Sequence, residues 1–230
     1  MAHPLDNCAW HALTTTHREF ARVGELAARY LPEISPIAAV VDESDAAFAE
    51  LARLTRPGEV VAIACERDFP AHEWQTLGSV QLSQWLQEGR VERENEDGIA
   101  MLGARDHDAM YALAKLADPG PFERETWRLG IYLGIRAGAD LSAMAGERMR
   151  LPGFVEVSAV ATRPGHEGHG YASRLVRALL VRQQAAHEQA FLHVRTGSPS
   201  ERAATRVYEK FGFRKRLTTP FVAARRLGSP

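Results

Sequence analysis

Residues 155–172 read VEVSAVATRPGHEGHGYA, and the fold turns on what this stretch does. Its first half alternates and is rich in β-branched residues, the pattern of a strand with two different faces. Pro164 and Gly165 break the run, and Gly168 and Gly170 follow. Ala172, Leu175, Val176, Leu179 and Leu180 then recur at the spacing of a helix that buries one side. Strand, glycine loop and helix in this order have a physical use. Glycine tolerates positive φ and carries no side chain, so backbone N–H groups can converge on an anion. The helix start adds unpaired N–H groups and the positive end of a dipole. The stretch is expected to cradle a phosphate.

Two common phosphate motifs do not fit. A P-loop requires lysine after its last glycine, and none stands here. A dinucleotide fingerprint requires a third glycine where the chain has Ser173. What makes the loop specific is a second motif downstream, Arg206-Val-Tyr-Glu-Lys-Phe-Gly-Phe213. Taken together, Val160-x-Thr162-x-Pro164-x-x-x-Gly168-x-Gly170-x-Ala172 and Tyr208-x-x-x-Gly212-Phe213 resemble the GNAT superfamily of acyl-CoA-dependent N-acetyltransferases. The order and approximate spacing of the two motifs are those of the family. The resemblance covers roughly residues 99–230.

The resemblance implies an α/β (α+β) fold, a central mixed but mostly antiparallel sheet flanked by helices. It implies acetyl-CoA as co-substrate, no metal, and transfer of an acetyl or short acyl group to a primary amine. Splayed fourth and fifth strands of the family leave backbone groups to pair with pantetheine. On that pattern Val160, Ala161 and Thr162 would bond pantetheine, and His166, Glu167, Gly168, His169, Gly170, Tyr171 and Ala172 would hold the pyrophosphate. Tyr208 matches the tyrosine that protonates the departing thiolate in many relatives. A phenol of pKa about 10 is able to do so.

For the base, Glu156 is the choice, on the strand expected over residues 154–162. Alternation groups Glu156, Ser158 and Val160 on one face, with Val157, Ala159 and Ala161 on the other. An unpaired carboxylate on so central a strand would be costly, so its placement has a purpose. A salt bridge to Arg148 or Arg195 is the competing reading, and Glu147 or a water is the alternative base. No cysteine lies between the two motifs, which favours direct attack by the amine over an acyl-cysteine. Three positions depart from the family: Gly165 for a polar residue, Glu167 for a basic one, and Glu201 for an asparagine. They motivate a second reading, a catalytically weak acyl-CoA-binding or sensing module. Arg163, Arg174, His166 and His169 stand ready to compensate. His166-Glu-Gly-His169 is not a zinc-protease motif, because the histidines are three apart rather than four.

Over the whole chain of 230 residues, hydrophobic content is 45%, charged content 25% and net charge −1. These values describe an ordinary globular protein with no basic field to draw nucleic acid or an anionic membrane. Cys8 and Cys65 fit no zinc or redox spacing, and the N-terminus lacks the apolar core of a signal peptide. A cytoplasmic protein with a small-molecule amine acceptor is expected; a homodimer stays open. Residues 88–98, rich in charge and glycine, read as a linker. The boundary placed there gives an N-terminal α/β domain, 1–95, and the GNAT domain, 96–230. The first is compatible with a degenerate GNAT-like half. Within it, helix is expected over much of residues 7–30 and 45–54, and strands near 37–41 and 60–65. In the second, a short helix is expected over residues 121–126, and two final strands over 213–217 and 221–225.

Overall fold

The computed structural model of the chain describes residues 3–228. Its first helix, α1 (Cys8–Thr14), is short, capped by Asn7, whose side chain accepts the Trp10 N–H at 3.3 Å. Helix does not continue through residue 30. Residues 21–23 and 27–30 form β1 (Ala21–Val23) and β2 (Ala27–Tyr30), which with β3 (Ala38–Val40) make a three-stranded antiparallel sheet. The reason is two-sided burial. Ala27 packs into the cluster of Phe48 and Leu51, while Ala28 and Tyr30 pack with Leu13 and Ile34. A helix would turn part of this run to water, whereas a central strand buries it all. Helix α2 (Asp45–Leu54) follows, its N-terminus capped by Ser44.

The remaining strands are β4 (Val60–Ala64), β5 (Trp74–Gln87), β6 (Ile99–Leu102), β7 (Tyr132–Ala137), β8 (Asp140–Leu151), β9 (Phe154–Thr162), β10 (Gln189–Arg195) and β11 (Phe213–Arg226). They form one eight-stranded sheet in the order β4-β11-β5-β10-β9-β8-β7-β6. Every neighbouring pair is antiparallel except β9 with β10. This is the mixed, mostly antiparallel sheet that the family resemblance implies. The expected boundary at 95/96 lies in the coil between β5 and β6, yet β4 and β5 belong to the same sheet as the strands that follow it. Strand β5 is wedged between β10 and β11. The two final strands expected separately are a single one, running through Pro220 with a bulge between Lys215 and Leu217.

Helices cover both faces. Helix α3 (His107–Ala117) sets Met110 and Leu113 against Tyr132, Met144 and Ala161. On the opposite face α4 (Tyr171–Ala185) buries Leu175, Val176 and Leu179 against Leu133, Ala145 and Val157. Each such side chain contributes about 1.5–3 kcal/mol when fully removed from water. Helix α5 (Glu201–Lys210) follows β10 and delivers Tyr208. Residues 121–125 are coil and turn rather than the expected helix, and a short 3₁₀ turn, Thr126–Leu129, follows. Thr126 holds them there, taking the Glu123 N–H at 2.7 Å and donating to the Ile34 carbonyl at 2.5 Å. Helix α1 is fastened to the far half: Cys8 and Ala12 pack on Met149, Leu151 and Phe191.

Candidate active site

The site begins with an irregularity in β9. Between the pairs Met144↔Ala161 and Ser158↔Gly146, β8 has one residue and β9 has two, Ala159 and Val160. This is a β-bulge, and Ala159 takes a left-handed φ of 51° to make it. The extra residue reverses the faces. Val157 and Val160 both meet the core beneath α4, while Ala159 and Ala161 lie under α3. The simple alternation expected for Glu156, Ser158 and Val160 therefore fails at the bulge. On its other edge β9 pairs with β10 only from Phe154↔Gln189 to Glu156↔Phe191. Beyond that point β10 stays paired only along its opposite edge, to β5, from Phe191↔Leu86 to Arg195↔Leu82. The two parallel strands splay, and no described strand pairs with that edge of residues 157–162. Unpaired backbone donors and acceptors along a cleft suit an amide-bearing ligand such as a pantetheine arm.

At the end of β9 the glycine loop turns into α4. Gly165, Gly168 and Gly170 have φ of 87°, 80° and 72°. A Cβ on any of them would meet nothing within 4 Å, so conformation rather than crowding requires glycine here. No side chain caps α4, which leaves its first N–H groups open to an anion. The loop thus fits a diphosphate, with one qualification: the Glu167 carboxylate accepts the Gly165 N–H at 2.8 Å. It occupies one of the donors a phosphate would use. His169 stacks on Tyr171 with ring centroids 5.3 Å apart. Arg163 donates to the Leu141 carbonyl and Arg174 to that of Asp97, so both are turned to backbone. Glu201 accepts the Gly197 N–H at 2.6 Å ahead of α5.

The cleft opens into a cavity of about 750 Å³ between the two halves of the chain, and Val160 and Tyr208 line it. Tyr208 is 9% exposed, and its ring packs edge-on against Phe213 at 5.8 Å. Burial, with the Glu156 charge adding to it, raises the phenol to about 12. It therefore stays protonated over the working range of most enzymes.

Glu156 differs from its expected role. It is 0% exposed and does not line the cavity. Arg148 grips it with two bonds, Nε to Oε2 at 2.9 Å and Nη2 to Oε1 at 2.7 Å. His193 Nδ1 lies 2.8 Å from Oε1. Burial alone would raise this carboxyl, but the Arg148 charge and bonds, with His193, hold it down at about 2. An acid so stabilised is a poor proton acceptor. The salt bridge to Arg148 is the reading that the geometry supports, and the free base is corrected. Glu147 is equally spoken for: it is 1% exposed, paired with Arg150 at 2.6 Å, and takes bonds from Gln183 and the Ile131 N–H.

Four cavity-lining residues were not picked out as a site from the sequence: Arg148, His193, Gln84 and Cys8. His193 on β10 is tied to Glu156 on one side and approached by Gln84 Nε2 at 3.2 Å on the other. Burial opposes its cation, but hydrogen bonds to Cys8 and Glu156 outweigh this and raise the imidazole to about 9. Arg148 and His193 stand within residues 140–195, where an eye for charged residues on β strands finds them. Cys8 and Gln84 gave no local signal, because tertiary packing alone brings them in. Among the described residues, no group of three His, Cys, Asp or Glu is assembled as a metal site.

A strand splay, a glycine loop at a helix start and a buried tyrosine beside the opening are the features that the GNAT resemblance implies. Comparison with known proteins agrees. The FR47-like protein family matches residues 132–222. A GNAT-family protein from Novosphingobium aromaticivorans is 32% identical, with 99% of this chain and 100% of that one covered and a TM-score of 0.88. The chain belongs to the GNAT superfamily. A GCN5-related N-acetyltransferase from Kribbella flavida shares the fold at 19% identity and TM-score 0.57, covering 96% of this chain and 94% of its own. A GCN5-related N-acetyltransferase-like protein from Streptococcus suis does so at 11% identity and TM-score 0.57, with 95% and 92% covered. No curated protein matches. Among the described residues, no helix is long and apolar enough to cross a membrane.

Proposed function

We propose that the protein is an N-acetyltransferase that moves an acetyl or short acyl group from acetyl-CoA to a primary amine of a small molecule. The observation that carries this reading is the splay of β9 and β10 beside the Ala159–Val160 bulge, opening on a cavity lined by Tyr208. Acetyl-CoA, when bound, supplies the acyl group as an activated thioester. The backbone of Val160, Ala161 and Thr162 would hold the pantetheine arm. The N–H groups from His166 to Ala172, Glu167 and His169 included, would hold the diphosphate. Tyr208, neutral at physiological pH, donates the proton that the departing thiolate needs. Enclosure of the cavity by Leu5, Ile37 and Ala62 of the N-terminal half favours a small acceptor over a protein.

Titration calorimetry with acetyl-CoA, free CoA and ATP tests the first half of this proposal. Binding that needs the pantetheine arm is expected; no binding would sink it. Release of free thiol with a panel of amines tests the second half. Tyr208→Phe should bind acetyl-CoA normally and lose transfer about 10²-fold or more. The competing reading, a weak acyl-CoA-binding or sensing module, is favoured by Glu167, whose carboxylate stands on a donor of the cradle. Binding without turnover on every amine would establish that reading instead.

A further inference from the structure

A second bulge aims Arg148. Between the pairs Glu147↔Val157 and Arg150↔Val155, β8 has two residues, Arg148 and Met149, against Glu156 alone on β9. The extra residue breaks the alternation, and Arg148 and Met149 both line the cavity. A guanidinium is a planar fork with five N–H donors. Glu156 takes one edge of it, through Nε and Nη2. Nη1 has no hydrogen-bond partner among the described residues, yet it is not sealed from solvent. Beside it stands Gly120, where a Cβ would lie 3.8 Å from Nη1, so no side chain covers the nitrogen from that position.

The charge around this group is unbalanced. Arg148 and His193 both bond Glu156, two basic groups on one buried carboxylate. Against its burial His193 is raised to about 9, so the cluster carries one positive charge in excess at neutral pH. Net charge is costly where water is scarce, and an anion in the cavity would relieve it. The carboxylates of the lining do not. Asp6, Glu66 and Asp118 are exposed, and Asp6 is paired with Arg216 and Asp118 with Arg195 at 2.8 Å. Much of the remaining wall is apolar, with Ile37, Ala62, Val80, Leu217 and Phe221. An attacking amine must be neutral, so an amino acid poised to react has a net charge of one negative, the complement of the cluster.

We infer that the acceptor is an amino acid with an apolar side chain, its carboxylate received by Arg148 Nη1 and its amine turned to the thioester beside Tyr208. The inference rests on the acetyltransferase reading above. Arg148 is then a specificity-determining residue, and Glu156 holds its fork in place. The N–C bond forms as the thioester S–C bond breaks. Tyr208 protonates the thiolate and is reprotonated by the proton that the nitrogen sheds.

The test compares leucine with leucinamide and isoamylamine, by release of free thiol from acetyl-CoA with the full-length protein. Both analogues keep the amine and the side chain and lose the negative charge. One amine is a weaker base than that of leucine and the other a stronger one, so basicity cannot produce the same loss in both. Leucine should exceed each in kcat/KM by about 10–100-fold, the value of a hydrogen bond to a charged group. Methionine and phenylalanine should exceed their amides likewise. Arg148→Lys keeps a cation on Glu156 but loses the planar fork. It should shrink the preference for leucine over leucinamide about tenfold, with acetyl-CoA affinity by calorimetry unchanged; this ratio does not depend on how much of the variant is folded. Analogues accepted as well as the amino acids overturn the inference and leave the acetyltransferase standing. A preference that survives intact in Arg148→Lys overturns the role of Arg148. If no amine releases thiol, calorimetry of leucine and leucinamide in the presence of CoA decides. Tighter binding of leucine upholds the carboxylate site while the transferase reading falls, and equal affinities overturn both.

Discussion

Replacing Glu156 by glutamine separates two accounts of one residue. A base acting in the reaction would lose rate and leave stability alone. A carboxylate that neutralises a buried guanidinium would lose stability. Arg148 is 8% exposed as a residue, and Glu156 is its closest counter-charge. Removing one partner of a buried pair typically costs about 3–5 kcal/mol. A second route gives the same size. The carboxyl is held at about 2 against an ordinary value of 4.5. At about 1.4 kcal/mol for each pH unit, that amounts to about 3 kcal/mol of stability. The folded-state value is depressed, so this contribution is present above pH 4.5 and is lost as pH falls toward 2. His193 works in the opposite direction. Its folded value is raised to about 9 from 6.5, so its share is present below pH 6.5 and lost as pH rises through 9. The stability gap between wild type and Glu156→Gln is therefore widest between about pH 4.5 and 6.5 and narrows on both sides. Urea unfolding across that range measures it. At about 2–4 °C for each kcal/mol, a loss of about 3 kcal/mol lowers Tm by about 6–12 °C. Unchanged unfolding with a collapsed kcat would refute the reasoning and restore Glu156 as the base.

Gly146→Ala should destabilise by about 1–3 kcal/mol, because the new Cβ would lie 2.3 Å from the fully buried Tyr132 ring on the paired strand. Thermal melting checks this, and a melt unchanged within error refutes it. His17 is buried against the Tyr30 hydroxyl at 2.8 Å, and burial, with Arg150 nearby, lowers its pKa to about 4. Its neutral form is the folded one, so wild type should lose stability as pH falls from 6.5 toward 4, and His17→Gln should flatten that slope. Glu167→Gln should tighten acetyl-CoA binding several-fold at low salt, with the gain shrinking as salt screens the charge. Calorimetry at two ionic strengths decides it; equal affinities would mean that the carboxylate does not oppose the diphosphate.

What was legible in the sequence is what sequence neighbours decide. The strand over residues 154–162, the glycine loop and the helix after it follow from alternation, positive φ and helical spacing, all within a short window. Tyr208 was found through a motif and does line the cavity. What escaped depends on distance along the chain. The bulge at Ala159 leaves no mark in composition, since alanine is an unremarkable strand residue, yet one extra position inverts the faces of everything after it. Glu156 reads as the base although Arg148 on β8 lies only eight residues before it, because the second partner, His193 on β10, is 37 residues off in sequence. The reading named Arg148 as a partner but did not weigh His193. The short helix expected at 121–126 gave way to a turn because Thr126 bonds to Ile34, a contact no local window contains.

Strand β5 has a consequence for how the molecule comes into being. It is an interior strand, third in the order of eight, with Ser83 Oγ bonding the Val194 carbonyl 111 residues away in sequence. Pairings of such long range form slowly, because much chain must be ordered before they repay it. During synthesis residues 74–87 emerge well before either neighbour exists. Through that interval a long strand with two unpaired edges must wait, a state prone to pairing with another chain. Folding is gated by the arrival of β10 and β11, and a fragment starting at residue 96 would be left with a gap where its sheet should close.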